Sequence, residues 1–437
     1  MGRKSHTRTL YCSMNGFPVG KLYLKKGRMS FKYAPEWLEV EGSRAISLSL
    51  PMQRAEIVDD AVHAYFDNLL PDSAAIREQI KDRLGAESAK PFDLLASVGK
   101  DCVGALTFTD EPATGEMPSL SLTPLSEHEV AQMIRETRLE KILGMHSDSD
   151  FRISLAGAQE KTALTQWNGK WCRPHGSTPT THIFKPPILH HESLGIDLPS
   201  SVDNEWFCQR FMKNLGMNVA VCNIEQFEDQ KVLVVERFDR KIEEDAIIRL
   251  PQEDICQALG KVSGSKYEEK GGSSSQQVMD LLSGSSNAYE DRLEFLRVQI
   301  VFWLLAAIDG HGKNFSIALN QNGYRLTPFY DVLSAYPYFG QGNIQPKKIK
   351  MAMKVHSKNT HYKWSEILPR HWPEHGKKQG IDEELTLTIM TALDEKIELA
   401  LNKTLREANE FFDQEVGEII AERTLTCLGK VTRFLHG

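Results

Sequence analysis

An aspartate, an asparagine and a second aspartate in the C-terminal half have residue types and spacing that fit phosphoryl transfer. Asp309 and Asn314 stand five residues apart, and Asp331 follows further along the chain. The first spacing equals that between the base and the metal-binding asparagine of the protein-kinase catalytic loop. In such a site one carboxylate accepts the proton of the attacking hydroxyl, while an amide and a second carboxylate hold the metal on ATP. The pattern predicts Asp309 as the base and Asn314 and Asp331 as ligands of Mg²⁺.

Other interpretations of this loop stay open. It could simply cap the strand that follows it, or His311 could belong to a metal-dependent hydrolase. No second histidine stands at helical spacing beside His311 in the sequence, which disfavours a histidine-rich zinc site. The usual kinase Asp-Phe-Gly motif is replaced by Asp331-Val332-Leu333.

Apolar and turn-forming residues predict the elements that would position these side chains. Residues 298–308 are almost wholly apolar and predict a buried helix that ends at Gly310. Asn322-Gly323 predicts a hairpin turn between Asn314 and Asp331. Such a hairpin would let the two side chains share one Mg²⁺, which prefers oxygen ligands together with phosphate and water.

The rest of the chain has a β-rich first half and a helix-rich second half, which predicts an α+β fold with a nucleotide in a cleft. Asn15-Gly16 predicts a β-hairpin at residues 9–33. Further strands are predicted at residues 29–33, 46–50, 104–108, 161–165, 181–185, 220–227, 231–238, 316–319 and 324–326. Helices are predicted at 58–68, 71–85, 125–143, 203–215 and 382–436, and a mobile Gly/Ser-rich loop at 262–275.

Length and charge limit the classes of protein that are compatible with the sequence. The chain has 437 residues, enough for two to three domains, and its hydrophobic share of 41% is that of an ordinary globular protein. A formal charge of -7 argues against a protein that mainly coats nucleic acid. Lys377 and Lys378 form a modest basic concentration with nearby lysines, which is either a solvated face or a nucleic-acid contact.

Cysteine usage and hydropathy predict a cytoplasmic protein without a membrane partner. The seven cysteines include no Cys-x-x-Cys pair, which favours reduced thiols over a disulfide framework. The basic N-terminus has no apolar core of signal-peptide length, and residues 298–308 are too few to span a bilayer.

Further residues are candidates for ATP binding, each with a plainer interpretation. Lys185 ends a predicted strand, where its ammonium group could pair with phosphate or stay solvated at a sheet edge. The small residues of Ser154-Leu-Ala-Gly-Ala-Gln-Glu-Lys161 would let backbone N–H groups approach phosphate, although a plain hairpin turn has the same composition. The strand that ends at residues 236–239 could offer backbone groups to adenine and Asp239 to a ribose, or could form an ion-paired rim.

Several runs of the sequence together resemble the HipA family of bacterial serine/threonine-kinase toxins. They are Phe151-Arg-Ile-Ser-Leu-Ala-Gly-Ala-Gln-Glu-Lys161, Thr180-Thr-His-Ile-Phe-Lys185, Ser201-Val-Asp-Asn-Glu205, Val235-Glu-Arg-Phe-Asp-Arg240, Asp309-Gly-His-Gly-Lys-Asn-Phe315 and Thr327-Pro-Phe-Tyr-Asp331. The resemblance covers most of the chain and implies a two-lobed, protein-kinase-like fold. Its divisions would be an N-terminal β/α sub-domain at 1–110, the rest of the β-rich N-terminal lobe at 111–240 and a mostly helical C-terminal lobe at 241–437.

The resemblance also implies roles for individual residues. Asp309 matches the catalytic base, Asn314 and Asp331 the Mg²⁺ ligands, and Lys185 the lysine on the ATP phosphates. Ser154 matches the serine on which family members phosphorylate themselves, which ejects the phosphate loop and inactivates the enzyme. The charge that a phosphate adds there makes such inactivation physically reasonable. The remaining ATP-binding residues of the prediction are Ala156, Gly157, Ala158, Gln159, Glu160 and Lys161 in the phosphate loop, Glu236, Arg237 and Phe238 at the adenine-side hinge, and His311, Lys313 and Tyr330.

Family membership would further imply partners. Members bind HipB, a small helix-turn-helix antitoxin, and the pair sits on its own operator DNA. Their known target is glutamyl-tRNA synthetase, whose modification arrests translation and promotes growth arrest and persistence. Because this chain is acidic, HipB would supply most contacts to DNA phosphates, with Lys377 and Lys378 making a minor contact.

Two functions from other classes remain alternatives to a protein-kinase toxin. The chain could be a catalytically silent co-repressor, against which the complete set of expected catalytic residues speaks. It could instead be a small-molecule phosphotransferase, since such enzymes share the same Asp/Asn/Asp arrangement. The Ser154 loop favours a protein kinase over this second alternative.

Overall fold

Residues 7–143, 161–191 and 196–437 are described by a computed structural model, in which the chain forms two units. The first unit consists of Met1–Phe184, Glu236–Lys266 and Ser316–Tyr324. The second consists of Lys185–Val235, Tyr267–Phe315 and Arg325–Gly437. The chain therefore passes between the units several times, and neither unit is one continuous stretch of sequence.

Runs of strands and runs of helices follow one another along the described residues. The strands are β1 (Arg8–Met14), β2 (Phe17–Lys25), β3 (Arg28–Tyr33), β4 (Leu106–Thr109), β5 (Leu122–Pro124), β6 (Thr162–Trp167), β7 (Lys170–Pro174), β8 (His182–Lys185), β9 (Ile188–His191), β10 (Ile196–Leu198), β11 (Cys222–Phe227), β12 (Gln230–Glu236), β13 (Arg240–Glu243), β14 (Ala246–Arg249), β15 (Gln252–Asp254), β16 (Ser316–Asn320), β17 (Gly323–Leu326), β18 (Lys350–His356) and β19 (Thr360–Lys363). The helices are α1 (Pro35–Glu39), α2 (Asp60–Asp67), α3 (Ala74–Leu84), α4 (Pro91–Val98), α5 (Glu127–Leu143), α6 (Ser201–Asn214), α7 (Ile255–Ala258), α8 (Ser275–Leu282), α9 (Ala288–Leu304), α10 (His371–Lys378), α11 (Glu383–Arg406) and α12 (Gln414–His436).

The first unit begins with an antiparallel sheet in the order β3-β2-β1-β4. Asn15 and Gly16 both have positive φ, as a two-residue hairpin turn requires, and the predicted hairpin is confirmed. The buried face of the sheet packs against α2, where the Phe66 ring contacts Phe31 and Phe108. These side chains belong to one apolar core that α4 completes.

Local capping explains why one predicted helix is confirmed and one predicted strand is wrong. The Ser73 hydroxyl accepts from the Ile76 N–H at the start of α3, and Gly85 ends it in the left-handed region. Residues 46–50, predicted as a strand, instead form a turn with a single bridge between Ser47 and Leu50. The Ser47 and Ser49 hydroxyls bond to each other, as in local turns that compete with strand pairing.

Four strands of the first unit pair in the order β5-β7-β6-β8 as part of a six-stranded sheet, and each of these pairings is antiparallel. Asn168 and Gly169 form the positive-φ turn between β6 and β7. Register pairs Thr162 with Phe184, so that β8 reaches Lys185 at its end, as the sequence predicted.

The second unit is mostly helical, and its two long C-terminal helices confirm the prediction for residues 382–436. Buried residues recur every three or four positions along α11 and α12, which pack against each other. The hairpin of β18 and β19 was not predicted. Its sequence, rich in lysine and methionine, has little of the β-branched and aromatic composition that marks strands.

Residues 262–275, predicted to be a mobile loop, contain short 3-10 helices at Ser263–Ser265 and Glu268–Lys270 and then the start of α8. The Glu268 carboxylate is buried and accepts a hydrogen bond from the Lys354 backbone N–H at 2.9 Å. The Lys354 ammonium group lies 2.9 Å from the same carboxylate. The segment is therefore bound to β18 through Glu268 and contains helical turns.

Candidate active site

The helix α9 ends earlier than predicted, and its end fixes the start of the candidate catalytic loop. Ala306 has a positive φ, and the Ala307 N–H bonds back to the Phe302 carbonyl, so the helix stops at Leu304 rather than at Gly310. Residues 334–336 donate hydrogen bonds to the carbonyls at this end of the helix. The Tyr336 hydroxyl donates to the Leu304 carbonyl at 2.7 Å, and the Ser334 hydroxyl donates to the Leu305 carbonyl at 2.6 Å. The Ala335 N–H donates to the Ala306 carbonyl at 3.0 Å.

Backbone hydrogen bonds shape the loop from Asp309 to Asn314. The His311 N–H donates to the Asp309 carbonyl at 2.8 Å, and the Asn314 N–H donates to the His311 carbonyl at 2.9 Å. The Asn314 side chain also bonds to the loop, because its Oδ1 accepts a hydrogen bond from the His311 backbone N–H at 3.3 Å. Gly310 lies against Phe302, where an added Cβ would come within 2.6 Å of the ring. The loop therefore needs a glycine at this position.

Asn314 and Asp331, the predicted ligands of Mg²⁺, lie side by side. The Asn314 amide nitrogen is 3.3 Å from Asp331 Oδ2. Asp331 has φ near 60°, a left-handed conformation that costs a non-glycine residue free energy. Its side chain keeps about a third of its surface exposed, 36%, so the carboxylate remains open to a ligand.

Lys185 is buried between two carboxylates and is not a solvated edge lysine. Only 6% of the residue is exposed, and its Nζ lies 2.7 Å from Glu205 Oε1 and 2.8 Å from Asp331 Oδ1. Burial by itself would lower the pKa of the Lys185 ammonium group, but Asp331 and Glu205 together raise that pKa above its usual value. The lysine is therefore held charged beside Asp331.

The helix α6 positions both Glu205 and the segment after Asp331. Glu205 also accepts a hydrogen bond from Gln209 one turn later, at 2.9 Å. The preceding residue, Asn204, holds the Ser334 backbone on both sides: its amide nitrogen donates to the carbonyl at 2.8 Å, and its oxygen accepts from the N–H at 2.7 Å. One helix thus fixes the partner of Lys185 and the chain that carries Asp331.

The proposed base has one close phenolic neighbour and one histidine nearby. The Asp309 side chain is 49% exposed, and its Oδ1 accepts a hydrogen bond from the Tyr267 hydroxyl at 2.5 Å. His311 Nε2 lies 3.9 Å from the other oxygen. The His311 residue itself is buried, with its ring edge-on to Tyr267. The Asp309 carboxylate is therefore accessible to solvent, while Tyr267 and His311 lie beside it.

Two other predicted residues of the second unit pack under the loop. The Tyr330 hydroxyl donates to the Lys313 carbonyl at 2.8 Å, which links the residue before Asp331 to the residue before Asn314. Lys313 is buried. Their predicted contact with ATP stays a prediction, while their contact with each other holds the two metal-ligand candidates in register.

The other predicted ATP-binding residues belong to the first unit. Lys161 precedes β6, Glu236 is exposed at the end of β12, and Arg237 and Phe238 follow it. Ser154 and the loop residues Ala156, Gly157, Ala158, Gln159 and Glu160 lie outside the described residues.

Arg237 and Asp239 belong to a buried network of charges. Arg237 is 4% exposed, and its guanidinium group donates to Asp239 at 2.9 Å and to the Thr180 hydroxyl at 2.8 Å. Burial would raise the pKa of the Asp239 carboxyl, but Arg237 and Arg240 hold that pKa well below its ordinary range. Asp101 carries the second negative charge of the network and contacts Arg240 at 2.9 Å. Both predicted side chains are thus engaged in structural ion pairs, which argues against the side chain of Asp239 as the ribose ligand.

Two family models match the sequence, and relatives match it over most of its length. The HipA N-terminal domain matches residues 10–109, and the HipA-like C-terminal domain matches residues 153–401. "Putative kinase Y4mE" of Sinorhizobium fredii is 31% identical over 396 residues, which are 89% of each chain. The chain belongs to the HipA family.

Other HipA relatives agree with this assignment. The "Serine/threonine-protein kinase toxin HipA" of Shewanella oneidensis is 29% identical over 349 residues, which cover 76% of each chain. A solved structure of the Shewanella oneidensis HipA, HipB and operator DNA complex matches with a TM-score of 0.79, 24% identity and 97% coverage of each chain. The predicted α+β, protein-kinase-like fold is confirmed by that match, and the chain is a kinase of the HipA family.

The lysines predicted to touch DNA lie at the C-terminal turn of α10 in this HipA-family chain. Lys377 is exposed and pairs with Glu383 at 2.8 Å, while the Lys378 ammonium group donates to the Ser357 carbonyl. A role in DNA binding stays a prediction. Among the described residues, no helix combines the length and the apolar composition needed to cross a bilayer.

Two residues of the site were not predicted. Glu205 lies in a helix that is buried around nearly its whole surface, and a carboxylate in such a helix needs a cation. The position of Glu205 after Asp203 and Asn204, among apolar residues, is a pattern that could have indicated a buried carboxylate with a cationic partner. Tyr267 stands in a Gly/Ser-rich stretch without periodicity, and nothing local in the sequence indicates its contact with Asp309.

Proposed function

We propose that this HipA-family kinase transfers the γ-phosphoryl group of ATP to a serine or threonine hydroxyl of a protein. One observation carries the proposal: Lys185 is buried between Glu205 and Asp331, and Asp331 in turn contacts Asn314 in the loop of Asp309. Protein kinases combine the same parts, namely a lysine–glutamate ion pair, a metal-binding aspartate and asparagine, and an aspartate base.

Asp309 is the proposed base. Its half-exposed carboxylate can receive the proton of an acceptor hydroxyl, and its position directly before Gly310 places it on the same short loop as Asn314. Proton transfer to a positioned carboxylate typically contributes on the order of 10²–10⁴ in rate.

The donor set fits Mg²⁺. Asp331 supplies a partly exposed carboxylate. Asn314 would supply its amide oxygen once the amide, whose nitrogen faces Asp331 and whose oxygen accepts from the His311 N–H, turns toward the ion. Mg²⁺ usually takes one or two such protein ligands and completes its shell with phosphate and water. When bound, the ion would neutralise charge that develops on the transferring phosphoryl group. Lys185 would contact the ATP phosphates, with Glu205 holding its ammonium group in place.

The remaining nucleotide contacts are proposed from the family resemblance. The phosphate loop 156–161 would offer backbone N–H groups, and residues 236–238 would offer backbone groups to adenine. For Arg237 only such a backbone role is proposed, because its side chain is engaged in ion pairs. His311, Lys313 and Tyr330 would complete the ATP site.

The biological role is proposed by analogy with the named relatives. The Shewanella oneidensis relative is named a toxin, and its solved complex contains HipB and operator DNA. We expect this chain to act as the toxin of a type II pair in the cytoplasm, bound by a HipB-like antitoxin at operator DNA. Glutamyl-tRNA synthetase is the expected acceptor, with arrest of translation, growth arrest and persistence as the result.

Self-inactivation through Ser154 completes the proposal. A phosphate on Ser154 would place nearly two negative charges beside the loop that holds ATP. Intact-mass measurement of active preparations should show a phosphate that is lost in Ser154→Ala. A preparation that transfers phosphate but never carries one at Ser154 would contradict this part alone.

The test of the activity uses labelled ATP and Mg²⁺ with the antitoxin-free chain, alone and with glutamyl-tRNA synthetase. Label should enter protein with the wild type and not with Asp309→Gln. Label that enters only small molecules would support the phosphotransferase alternative. If neither protein transfers label while the chain still strengthens operator binding by its antitoxin, the silent co-repressor is correct.

A further inference from the structure

The Tyr267 hydroxyl connects the segment before α8 to the proposed base. Its oxygen lies 2.5 Å from Asp309 Oδ1, at the short end of the range for a hydroxyl that donates to a carboxylate. A carboxylate has about four lone-pair directions on its two oxygens. The phenol therefore occupies part of the accepting capacity of Asp309 and leaves the rest for an acceptor hydroxyl.

Tyr267 is itself held on two sides. Its ring packs edge-on against the His311 ring, with centroids 5.1 Å apart and an interplanar angle of 82°. The next residue, Glu268, is buried and bound to the backbone and ammonium group of Lys354 on β18. Because both anchors lie in the second unit with Asp309, the phenol is a fixed donor and not a chance surface contact.

We propose that Tyr267 is a positioning residue that holds the Asp309 carboxylate in the orientation that receives the acceptor's proton. This inference rests on the proposed function of Asp309 as base. The Asp309 side chain is half exposed, and the Tyr267 hydroxyl and His311 Nε2 are the polar side-chain groups beside its carboxylate among the described residues, so the phenol can select one rotamer. Misplacement of a reacting group by about 1 Å can cost on the order of 10² in rate.

The variant Tyr267→Phe tests this because it keeps the ring against His311 and removes only the hydroxyl. Total turnover of labelled Mg·ATP is measured, counting phosphate transferred to protein and phosphate released. We expect the turnover rate at saturating ATP to fall roughly tenfold to a hundredfold. The ATP concentration for half-maximal rate and the melting temperature should stay near those of the wild type. Tyr289→Phe, at an exposed position of α9, is the matched control and should keep full turnover.

A double variant separates positioning from a structural role. If Tyr267 acts through Asp309, Tyr267→Phe should have no further effect in an Asp309→Asn background. Unchanged or faster turnover in Tyr267→Phe would overturn the inference; faster turnover would mean that the phenol blocks the acceptor's place. Wild-type turnover in Asp309→Asn would instead overturn the proposed function itself, so the two failures are distinguishable.

Discussion

Lys185 carries a charge where water cannot solvate it, and two carboxylates compensate for the lost hydration. Glu205 is almost completely buried, whereas Asp331 is partly open. Removing one member of a buried ion pair leaves the other without compensation, which usually destabilises a protein. The two carboxylates therefore keep Lys185 charged, as contact with phosphate requires. The exposed part of Asp331 remains available to a metal ion.

The substitution Glu205→Gln should remove the ion pair between Glu205 and Lys185 with little change in the shape of the side chain. We expect turnover to fall at least tenfold, because Lys185 would then be held by Asp331 alone and compete with Mg²⁺ for it. The free energy of unfolding should fall by about 1–3 kcal/mol. Turnover of labelled ATP and thermal unfolding measure the two effects. Glu384→Gln, at an exposed position on α11, is the control, and an effect of equal size there would contradict the interpretation.

A second buried carboxylate makes the stability of the first unit depend on pH. Glu253 on β15 is completely buried, and no described residue hydrogen-bonds its Oε2. Burial raises the pKa of Glu253 to about 8 from an ordinary value of 4.5, although bonds from Ser47 and Leu48 act in the opposite direction. The folded state thus holds a proton that the unfolded chain releases above pH 4.5, so stability falls as pH rises from 4.5 to about 8.

The variant Glu253→Gln cannot titrate and should remove this slope. Each pH unit within the window costs the wild type up to about 1.4 kcal/mol, so the variant should gain stability relative to it between pH 5 and pH 8. Melting temperatures across that range measure the difference. Glu244→Gln, at an exposed position of the same unit, should follow the wild type. Parallel curves for Glu253→Gln and wild type would show that the carboxylate is not held protonated.

At the scale of elements, the end of α9 determines where the catalytic loop begins. The Phe302 ring lies against Gly310, and the carbonyls at the helix end are bonded to residues 334–336. The Ile308 carbonyl accepts from the Ala352 N–H of β18 at 3.0 Å. The loop of Asp309 is therefore held by contacts with three parts of the second unit.

Gly310→Ala should disturb this arrangement, because the added methyl group would lie 2.6 Å from the Phe302 ring. We expect a loss of about 1–3 kcal/mol in the free energy of unfolding and a fall in turnover as the loop moves. Denaturant unfolding and ATP turnover measure both. Gly429→Ala on α12, where a methyl group meets nothing within 4 Å, should be neutral or stabilising. Equal behaviour of the two variants would contradict the close approach.

The sequence predicted those parts of the site that depend on local spacing. Asp309 and Asn314 are close in the chain, and the hairpin before Asp331 has its own turn residues. The burial of Lys185 depends on partners 20 and 146 positions away, and the position of Tyr267 on one that is 42 positions away. Such contacts are set by tertiary packing. The same reason explains why residues 46–50 were wrongly predicted as a strand: their side chains bond to each other and to Gln257.

At the scale of the whole molecule, the predicted ATP-binding residues come from both units. Lys161 and residues 236–238 belong to the first, and Lys185, His311, Lys313, Asn314, Tyr330 and Asp331 belong to the second. Nucleotide binding is therefore a property to be measured on the full chain.

Mg·ATP should stabilise the full chain against thermal unfolding, because a ligand that binds only the folded state adds its binding free energy. At a hundredfold excess over its dissociation constant the gain is about 2.7 kcal/mol. Chelation of Mg²⁺ by EDTA should remove most of this gain. Asp331→Asn should lose it as well, whereas Asp309→Asn should retain it, because the base does not bind the nucleotide. Stabilisation by ATP that is the same with EDTA would contradict the metal assignment.

The most direct test of the central claim compares phosphoryl transfer by the wild type and by Asp309→Asn in samples with equal, measured occupancy by Mg·ATP. We expect the variant to bind nucleotide normally and to transfer phosphate at least 10²-fold more slowly than the wild type. Transfer at the wild-type rate by the variant would show that Asp309 is not the base and would contradict the assignment of this loop as the catalytic centre.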